Sequence, residues 1–465
     1  MTDTAALDRA IQANLEKHLQ QLSLLCSYPS VAAQGDDMAA TVDFVAGLLR
    51  DRQFEVEILT TDGQPVLFAE RGGQTDRRML FYNHYDVQPP EPLELWESPP
   101  FELARHGDYL VARGVSDDKG HLICRLAAID ALLAVDGDLP CTVKFVIEGE
   151  EEVGSPHLAA FVGDEQERLA ADACLWEFGG VDHDGRPLLY AGLRGIQYVE
   201  LRVRSASSDS HSGLGGSIFP NAAWRLTWAL ASLKGADERI AIDGFYDEVE
   251  PPTERDLELL DALPDDSADL KSRYQLDGFI KGLEGGLNFQ REKLFSPTCT
   301  ICGLTSGYQG PGTKTVLPAV ANAKVDMRLV PKQSPARVLE LLRKHLARHG
   351  FSDIEVVPLG SEPPGRTDPD HPFLQMVADQ AEEVYGQRQL IQPLSGGSGP
   401  IHPFIEHLGV PIATVGVSYP GAKIHAPNEN IRVGDFVNGI RHTSRVMAEF
   451  GGRGAKQGPF ATSGT

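Results

Sequence analysis

The residues best suited to chemistry in this sequence are histidines and carboxylates at the ends of apolar runs. His84 and Asp86 follow Phe81-Tyr82-Asn83. On a strand, residues i and i+2 share a face, and a metal-bound imidazole commonly has its second ring nitrogen held by a carboxylate. His84 as ligand with Asp86 behind it fits that pattern. Asp117 and Asp118 stand in Arg113-Gly114-Val115-Ser116-Asp117-Asp118-Lys119-Gly120, at the start of a helical run. Their ordinary reading is a pair of helix caps; the chemical reading has Asp117 shared by two cations. Glu148-Gly149-Glu150-Glu151-Glu152 leaves an apolar strand. Mutual repulsion there raises pKa values, and a cation relieves it, one glutamate ligating while its neighbour stays free as a base. Glu177 sits between Trp176 and Phe178 at another strand end, and His211 and His425 lie in loops. Singly, each has a plain explanation as a structural histidine, a cap or a solvated charge. Together, two histidines and three or four carboxylates without thiolates suit zinc or a similar borderline ion. Two such ions sharing a carboxylate can clamp and activate a water.

The elements that must position these residues can be read from periodicity. Leu7, Ile11, Leu15, Leu19 and Leu22 predict a first amphipathic helix, and Val42 to Leu49 a second. Strands are expected at 78–83, 142–147, 173–176 and 411–417, with helices at 120–134, 155–170, 373–385 and 433–449. That alternation predicts an α/β fold, a mostly parallel sheet flanked by helices. Ligands at strand ends then converge on the carboxyl edge of the sheet. Between them the texture changes. Tyr198 to Val203 alternates like a half-exposed strand, more strands are expected at 298–304, 320–329 and 354–357, and helices at 221–233 and 335–349. Residues 242–295 read as acidic and helical. The expected organisation is a catalytic domain in two parts, 1–204 and 363–465, with an α+β domain inserted at 205–362. The Gly/Ser-rich tail 451–465 is expected to fray.

Composition narrows the function. The 465 residues carry 42 Lys+Arg against 66 Asp+Glu, a formal net charge of −24. This excess argues against nucleic-acid and anionic-membrane binding, which need basic surfaces. A 42% hydrophobic share supports large cores. No apolar run approaches the roughly 18 residues of a membrane span, and Thr2-Asp3-Thr4 opens no signal core. Six scattered cysteines are too few for a disulfide scaffold; Cys299 and Cys302 are expected as buried strand cysteines. The expectation is a soluble cytoplasmic protein.

Taken in order, NHYDVQP, RGVSDDKG, EGEEEVGS, SHSG and KIHAPNE give the chain a resemblance to the dinuclear zinc amidohydrolases and peptidases. These include carnosinase-type dipeptidases, aminoacylase, acetylornithine deacetylase, succinyl-diaminopimelate desuccinylase and carboxypeptidase G. The resemblance implies two divalent ions, zinc first and cobalt or manganese as substitutes. It implies His84 and Glu177 as ligands of one ion, Glu152 and His425 of the other, and Asp117 as the bridge. Asp86 is the implied orienting carboxylate and Glu151 the implied general base. His211 resembles the histidine that reaches the partner subunit's active site and stabilises the oxyanion, which implies a homodimer through the inserted lid domain. Arg328 matches a carboxylate-binding arginine. The loop Ser395-Gly396-Gly397-Ser398-Gly399 offers the same anion the Gly397 amide and the Ser398 hydroxyl.

The activity so implied is hydrolysis of a peptide or amide bond in a small substrate with a free C-terminal carboxylate. Two features pull the substrate apart. Aspartate is usual at the position of Glu177 in dipeptidase members, glutamate in deacylases and carboxypeptidase-type members. Gly244-Phe245-Tyr246-Asp247 and Gly312-Thr313-Lys314-Thr315-Val316-Leu317-Pro318 resemble the larger dipeptidase-type lid. A dipeptidase-like peptidase is the reading, with an N-acyl-amino-acid hydrolase as its alternative. A dinuclear phosphoesterase and a non-catalytic metal-binding protein are more distant.

Overall fold

The computed structural model describes residues 3–35 and 37–452. Beyond Gly451 and Gly452, which finish the last helix, the expected frayed tail lies outside the described residues. The chain forms two compact units. One comprises the chain up to Gly192, residues 366–393 and residues from 403 onward; the other comprises 193–365 and 394–402.

The first unit is built on a six-stranded sheet. Its first five strands in sequence are β1 (Glu55–Leu59), β2 (Val66–Arg71), β3 (Arg78–His84), β4 (Thr142–Glu148) and β5 (Ala173–Trp176). The sixth, Ile412–Thr414, comes from late in the chain, and the spatial order is β1-β2-β4-β3-β5-(Ile412–Thr414). β3 runs parallel to both β4 and β5, and Ile412–Thr414 parallel to β5, while β2 pairs antiparallel with β1 and β4. Successive residues of β3 face opposite sides. On one side Tyr82 stacks on Trp176 at 4.0 Å, with Phe404 edge-on to both. On the other, Phe81 meets Phe145 at 5.0 Å beneath the Arg125 guanidinium. With both faces covered, β3 is buried along all but its first residue. Each aromatic pair adds roughly 1 kcal/mol beyond its area.

Helices α1 (Thr4–Cys26), α2 (Met38–Arg50) and α3 (Lys119–Asp136) belong to this unit, as does the last helix, Val433–Gly452. Asp130 of α3 ties α3 to α1 and to Arg52 just after α2: it accepts from Arg52 Nε at 2.7 Å and Lys17 Nζ at 3.1 Å, and lies 3.0 Å from His18 Nε2. The helix expected at 155–170 is two, Leu158–Asp164 and Gln166–Leu169, and that at 373–385 is also two, Pro372–Gln380 and Glu382–Tyr385. Glu165, at φ −103° and ψ 21°, leaves the helical region between the first two, while Ala381 between the second two keeps helical angles.

The second unit carries a four-stranded antiparallel sheet of β6 (Gly195–Arg204), β7 (Thr300–Ser306), β8 (Val320–Leu329) and β9 (Glu355–Glu362), ordered β7-β8-β6-β9. Helices α4 (Ala222–Leu233) and α5 (Pro335–Arg348) pack on one face. Val199, Leu201, Val203, Ala323, Val325 and Met327 point into that core with Leu226 and Leu342, and the alternate residues of β6 and β8 face away. All of β6 pairs with β8, and its residues 196–202 pair with β9. For that reason the unit begins at Leu193, ahead of the boundary drawn after residue 204 from sequence texture. Cys299 is buried but Cys302 is exposed, against the expectation for the pair. The pairing of edge strand β7 slips between Ile301 and Gly303, so Cys302 falls at a bulge that breaks the alternation.

Candidate metal centre

Three parallel strands deliver their ends side by side. β3 ends on His84, opposite Glu148 at the end of β4, and β5 is followed by Glu177. After β4 the chain makes one tight helical turn, Glu151–Val153, closed by Gly154 at φ +88°. Gly149 is required by close approach, because a Cβ there would fall 2.2 Å from the Tyr85 ring. Asp117 and Asp118 precede α3, where the helix N-terminus favours negative charge. A small antiparallel sheet, in which Asn430–Arg432 pairs with Tyr109–Val111, brings the His425 loop beside the Asp117 loop.

The result is two groups of ligand-type side chains, His84 with Asp118 and Glu177, and Asp117 with Glu152 and His425. The ligand atoms within each group lie within 4.8 Å of one another. Asp117 faces both: Oδ1 is 3.0 Å from His84 Nε2 and Oδ2 is 3.1 Å from His425 Nε2. His425 Nε2 also lies 3.1 Å from Glu152 Oε2, and His84 Nε2 3.9 Å from Glu177 Oε2. The other nitrogen of His84, Nδ1, meets the Asp86 carbonyl at 3.0 Å and its carboxylate at 3.3 Å, and Asp86 Oδ2 accepts from the Glu152 amide. No hydrogen bond or ion pair fixes the Glu151 carboxylate among the described residues.

The charge state shows why a cation fits. Burial pushes the pKa values of Glu151, Glu152 and Glu177 up, and neighbouring carboxylates push them further. Burial would lower His84, but hydrogen bonding to Asp117 and Asp86 outweighs it and raises the pKa. His425 is pushed up to about 10 by its hydrogen bonds to Asp117 and Glu152. Asp117 is held below the usual carboxylate range by both histidines, against the effect of its burial. The buried Oε2 of Glu177 accepts no hydrogen bond, and the buried Oδ1 atoms of Asp86 and Asp118 meet only a histidine nitrogen at 3.3 Å. Such a set of nitrogen and oxygen donors, acidic in excess and partly unsatisfied, fits borderline or hard divalent ions.

Residues 80–449 match Peptidase family M20/M25/M40. The chain is a member of that family. Among curated relatives, the human Beta-Ala-His dipeptidase is 31% identical over 301 residues, which are 61% of this chain and 57% of that protein. The chain thus spans under two thirds of that relative's length. The Cys-Gly metallodipeptidase dug1 of Schizosaccharomyces pombe is 27% identical over 94% of this chain and 96% of its own length. Among solved structures, a family M20 metallo-carboxypeptidase from Sulfolobus solfataricus superposes with a TM-score of 0.90 and 34% identity, covering 93% of this chain and 99% of that one.

Seven of the expected site residues gather in the first unit: His84, Asp86, Asp117, Glu151, Glu152, Glu177 and His425. Among the expected substrate-binding residues, Arg328 and Ser398 meet in the second unit, Nη1 donating to Oγ at 2.8 Å. The Gly397 amide is already spent on Ser395 Oγ at 3.2 Å. His211 is exposed in the second unit, on a two-residue strand paired with Val316–Leu317.

Asp118 is the residue that sequence reasoning misassigned. It stands at the cap position of α3 but caps nothing. Its Oδ2 instead accepts from Asn83 Nδ2 at 2.7 Å and from the His84 amide at 3.1 Å, and its Oδ1 lies 3.3 Å from His121 Nδ1. Glu429 and Arg113, which shape the Asp117 loop from behind, went unnoticed. Their sequence signal is only that each sits inside a motif that also carries a ligand.

Proposed function

We propose that this chain is a zinc-dependent dipeptidase acting on small peptides with a free C-terminal carboxylate. The observation that carries the reading is the Asp117 carboxylate, one oxygen facing His84 and the other His425, with the unfixed Glu151 carboxylate beside them. His84, Asp118 and Glu177 would hold one ion, and Glu152 and His425 the other, with Asp117 shared. Bound there, two divalent ions supply Lewis acidity and lower the pKa of an attacking water. Glu151 is the general base that takes the proton and returns it to the leaving amine. Arg328, with Ser398 against it, binds the C-terminal carboxylate as a guanidinium suits.

His211 Nδ1 accepts from the Gly213 amide at 3.0 Å, so a neutral ring carries its proton on Nε2. That donor is suited to a developing oxyanion, and we assign it to the active site of a second copy. A homodimer through the second unit is supported by its surface. Trp224 and Trp228 of α4 stack on each other and are 57% and 55% exposed, near-neighbours in sequence of exposed Leu214 and Ile218, and β7 is an open sheet edge. On this reading the second unit is lid and dimerisation domain, and the first the catalytic domain. All six cysteines are unpaired and no described helix is long and apolar enough to cross a membrane, which suits the cytoplasm.

A second reading is release of the C-terminal residue from longer peptides. The 34% identity to the metallo-carboxypeptidase favours it, as does glutamate at position 177. The test is turnover of metal-loaded protein on dipeptides, longer peptides and N-acyl amino acids, each with a free or amidated C-terminus. Dipeptides cleaved fastest, and only with a free carboxylate, support the proposal. Faster cleavage of longer peptides or of N-acyl amino acids replaces it with the corresponding alternative.

A further inference from the structure

Glu429 is 1% exposed and stands four residues after His425. Its carboxylate accepts four hydrogen bonds, all from the loop that carries Asp117. Oε1 takes the amides of Ser116 at 2.8 Å and Asp117 at 3.0 Å. Oε2 takes Arg113 Nη1 at 2.8 Å and the Gly114 amide at 3.1 Å. The Glu429 carbonyl adds a fifth bond, from the Ala112 amide at 3.1 Å. Residues 112–117 form neither helix nor strand, so their amides have no ladder to satisfy them. The amides of Gly114, Ser116 and Asp117 converge on this one carboxylate instead, while those of Arg113 and Val115 meet the Pro100 and Ala112 carbonyls.

The other end of the link is equally fixed. Lys423, His425 and Asn428 all have positive φ, at 54°, 63° and 62°, a conformation that non-glycine residues hold only when their surroundings impose it. Asn430 imposes it here: its amide donates to the Ala422 carbonyl at 2.8 Å, and its side chain donates to the carbonyls of Gly421 and Asn428. Glu429 therefore lies in the segment that presents His425, and its side chain grips the segment that presents Asp117.

We propose that Glu429 is the positioning residue that sets the shared Asp117 carboxylate between the two histidines, so that both ligand groups depend on it. This rests on reading the two groups as a metal centre. Partners behind a ligand typically govern metal affinity by about 10–100-fold.

The test is cobalt(II) binding to metal-free protein, followed by calorimetry and by the visible absorption of the bound ion, in wild type, Glu429→Gln and Glu429→Asp. The glutamine places an NH2 against amide donors whichever way it turns. The aspartate keeps a charge for Arg113 but withdraws both oxygens by one methylene, and it decides the matter if the glutamine variant does not fold. The expected result is affinity weakened about 10–100-fold at both sites, with an altered cobalt spectrum and a smaller loss for aspartate. Affinities within twofold of wild type and an unchanged spectrum, in a variant with a lowered melting point, would make Glu429 a purely structural residue and overturn the inference. Failure of wild type to bind two ions would instead overturn the metal-centre reading itself.

Discussion

His84 and His425 face opposite oxygens of one carboxylate, at 3.0 Å and 3.1 Å from Asp117. One histidine ends a central strand and the other stands in a loop near the end of the chain. The sheet brings the first to its carboxyl edge, and the pairing of Asn430–Arg432 with Tyr109–Val111 brings the second.

Glu151 is half-buried, its carboxylate unfixed among neighbouring acids, as a base rather than a ligand would be. Glu151→Gln is expected to bind two ions with wild-type affinity while kcat falls by about 10²–10⁴-fold. Metal content and steady-state turnover on the same preparation check this. Wild-type turnover, or loss of an ion, would remove Glu151 from that role.

Arg328 holds Ser398 Oγ at 2.8 Å and lies 3.4 Å from Asp326, which orients the guanidinium. Arg328→Met is expected to lower kcat/KM for free-carboxylate dipeptides by roughly 10–100-fold, the worth of hydrogen bonds to a charged group. The small activity on C-terminal amides should not change. An equal loss on both substrates would show that Arg328 does not read the carboxylate.

Much of the site could be read from sequence because its ligands sit where apolar strands stop. His84, Glu151, Glu152 and Glu177 each leave a run too hydrophobic to end in charge without a reason. Asp118 was not legible in the same way. An aspartate before a helix reads as a cap, and only the folded chain shows its oxygen taken by Asn83 and the His84 amide. Glu429 was hidden for a related reason, since its four donors lie in a segment remote in sequence. In the fold, β1 escaped notice because it is an edge strand with Glu55 and Glu57 outward, and Cys302 was misplaced because a bulge is invisible to a period-two pattern.

Asp130 joins α1, α3 and Arg52. Its carboxyl is held below the usual range against its own burial, by hydrogen bonds from His18 and by the charge of Arg52. A depressed carboxylate pKa gives stability that is complete above the unfolded value of about 3.9 and is lost as pH falls below it. Asp130→Asn is expected to cost about 3 kcal/mol near pH 7, since it leaves buried Arg52 unpaired. In thermal melts the gap to wild type should shrink steadily below about pH 4. A gap that stays constant with pH would contradict the pairing.

The exposed Trp224 and Trp228 pair marks the expected contact between copies. Trp228→Glu is expected to give a monomer by analytical ultracentrifugation. It should retain both ions yet lose at least about 10²-fold in kcat, the weight of one oxyanion donor, because His211 no longer reaches a second copy. A fully active monomer would refute the role of His211 in trans.

On the proposed reading, two ion sites that share Asp117 cleave a dipeptide. The most direct measurement is dipeptide turnover by chelator-stripped protein as zinc is restored in counted equivalents. No turnover without metal and full turnover at two ions per chain are expected. Undiminished turnover of the stripped protein, or no hydrolysis with both sites filled, would contradict that reading.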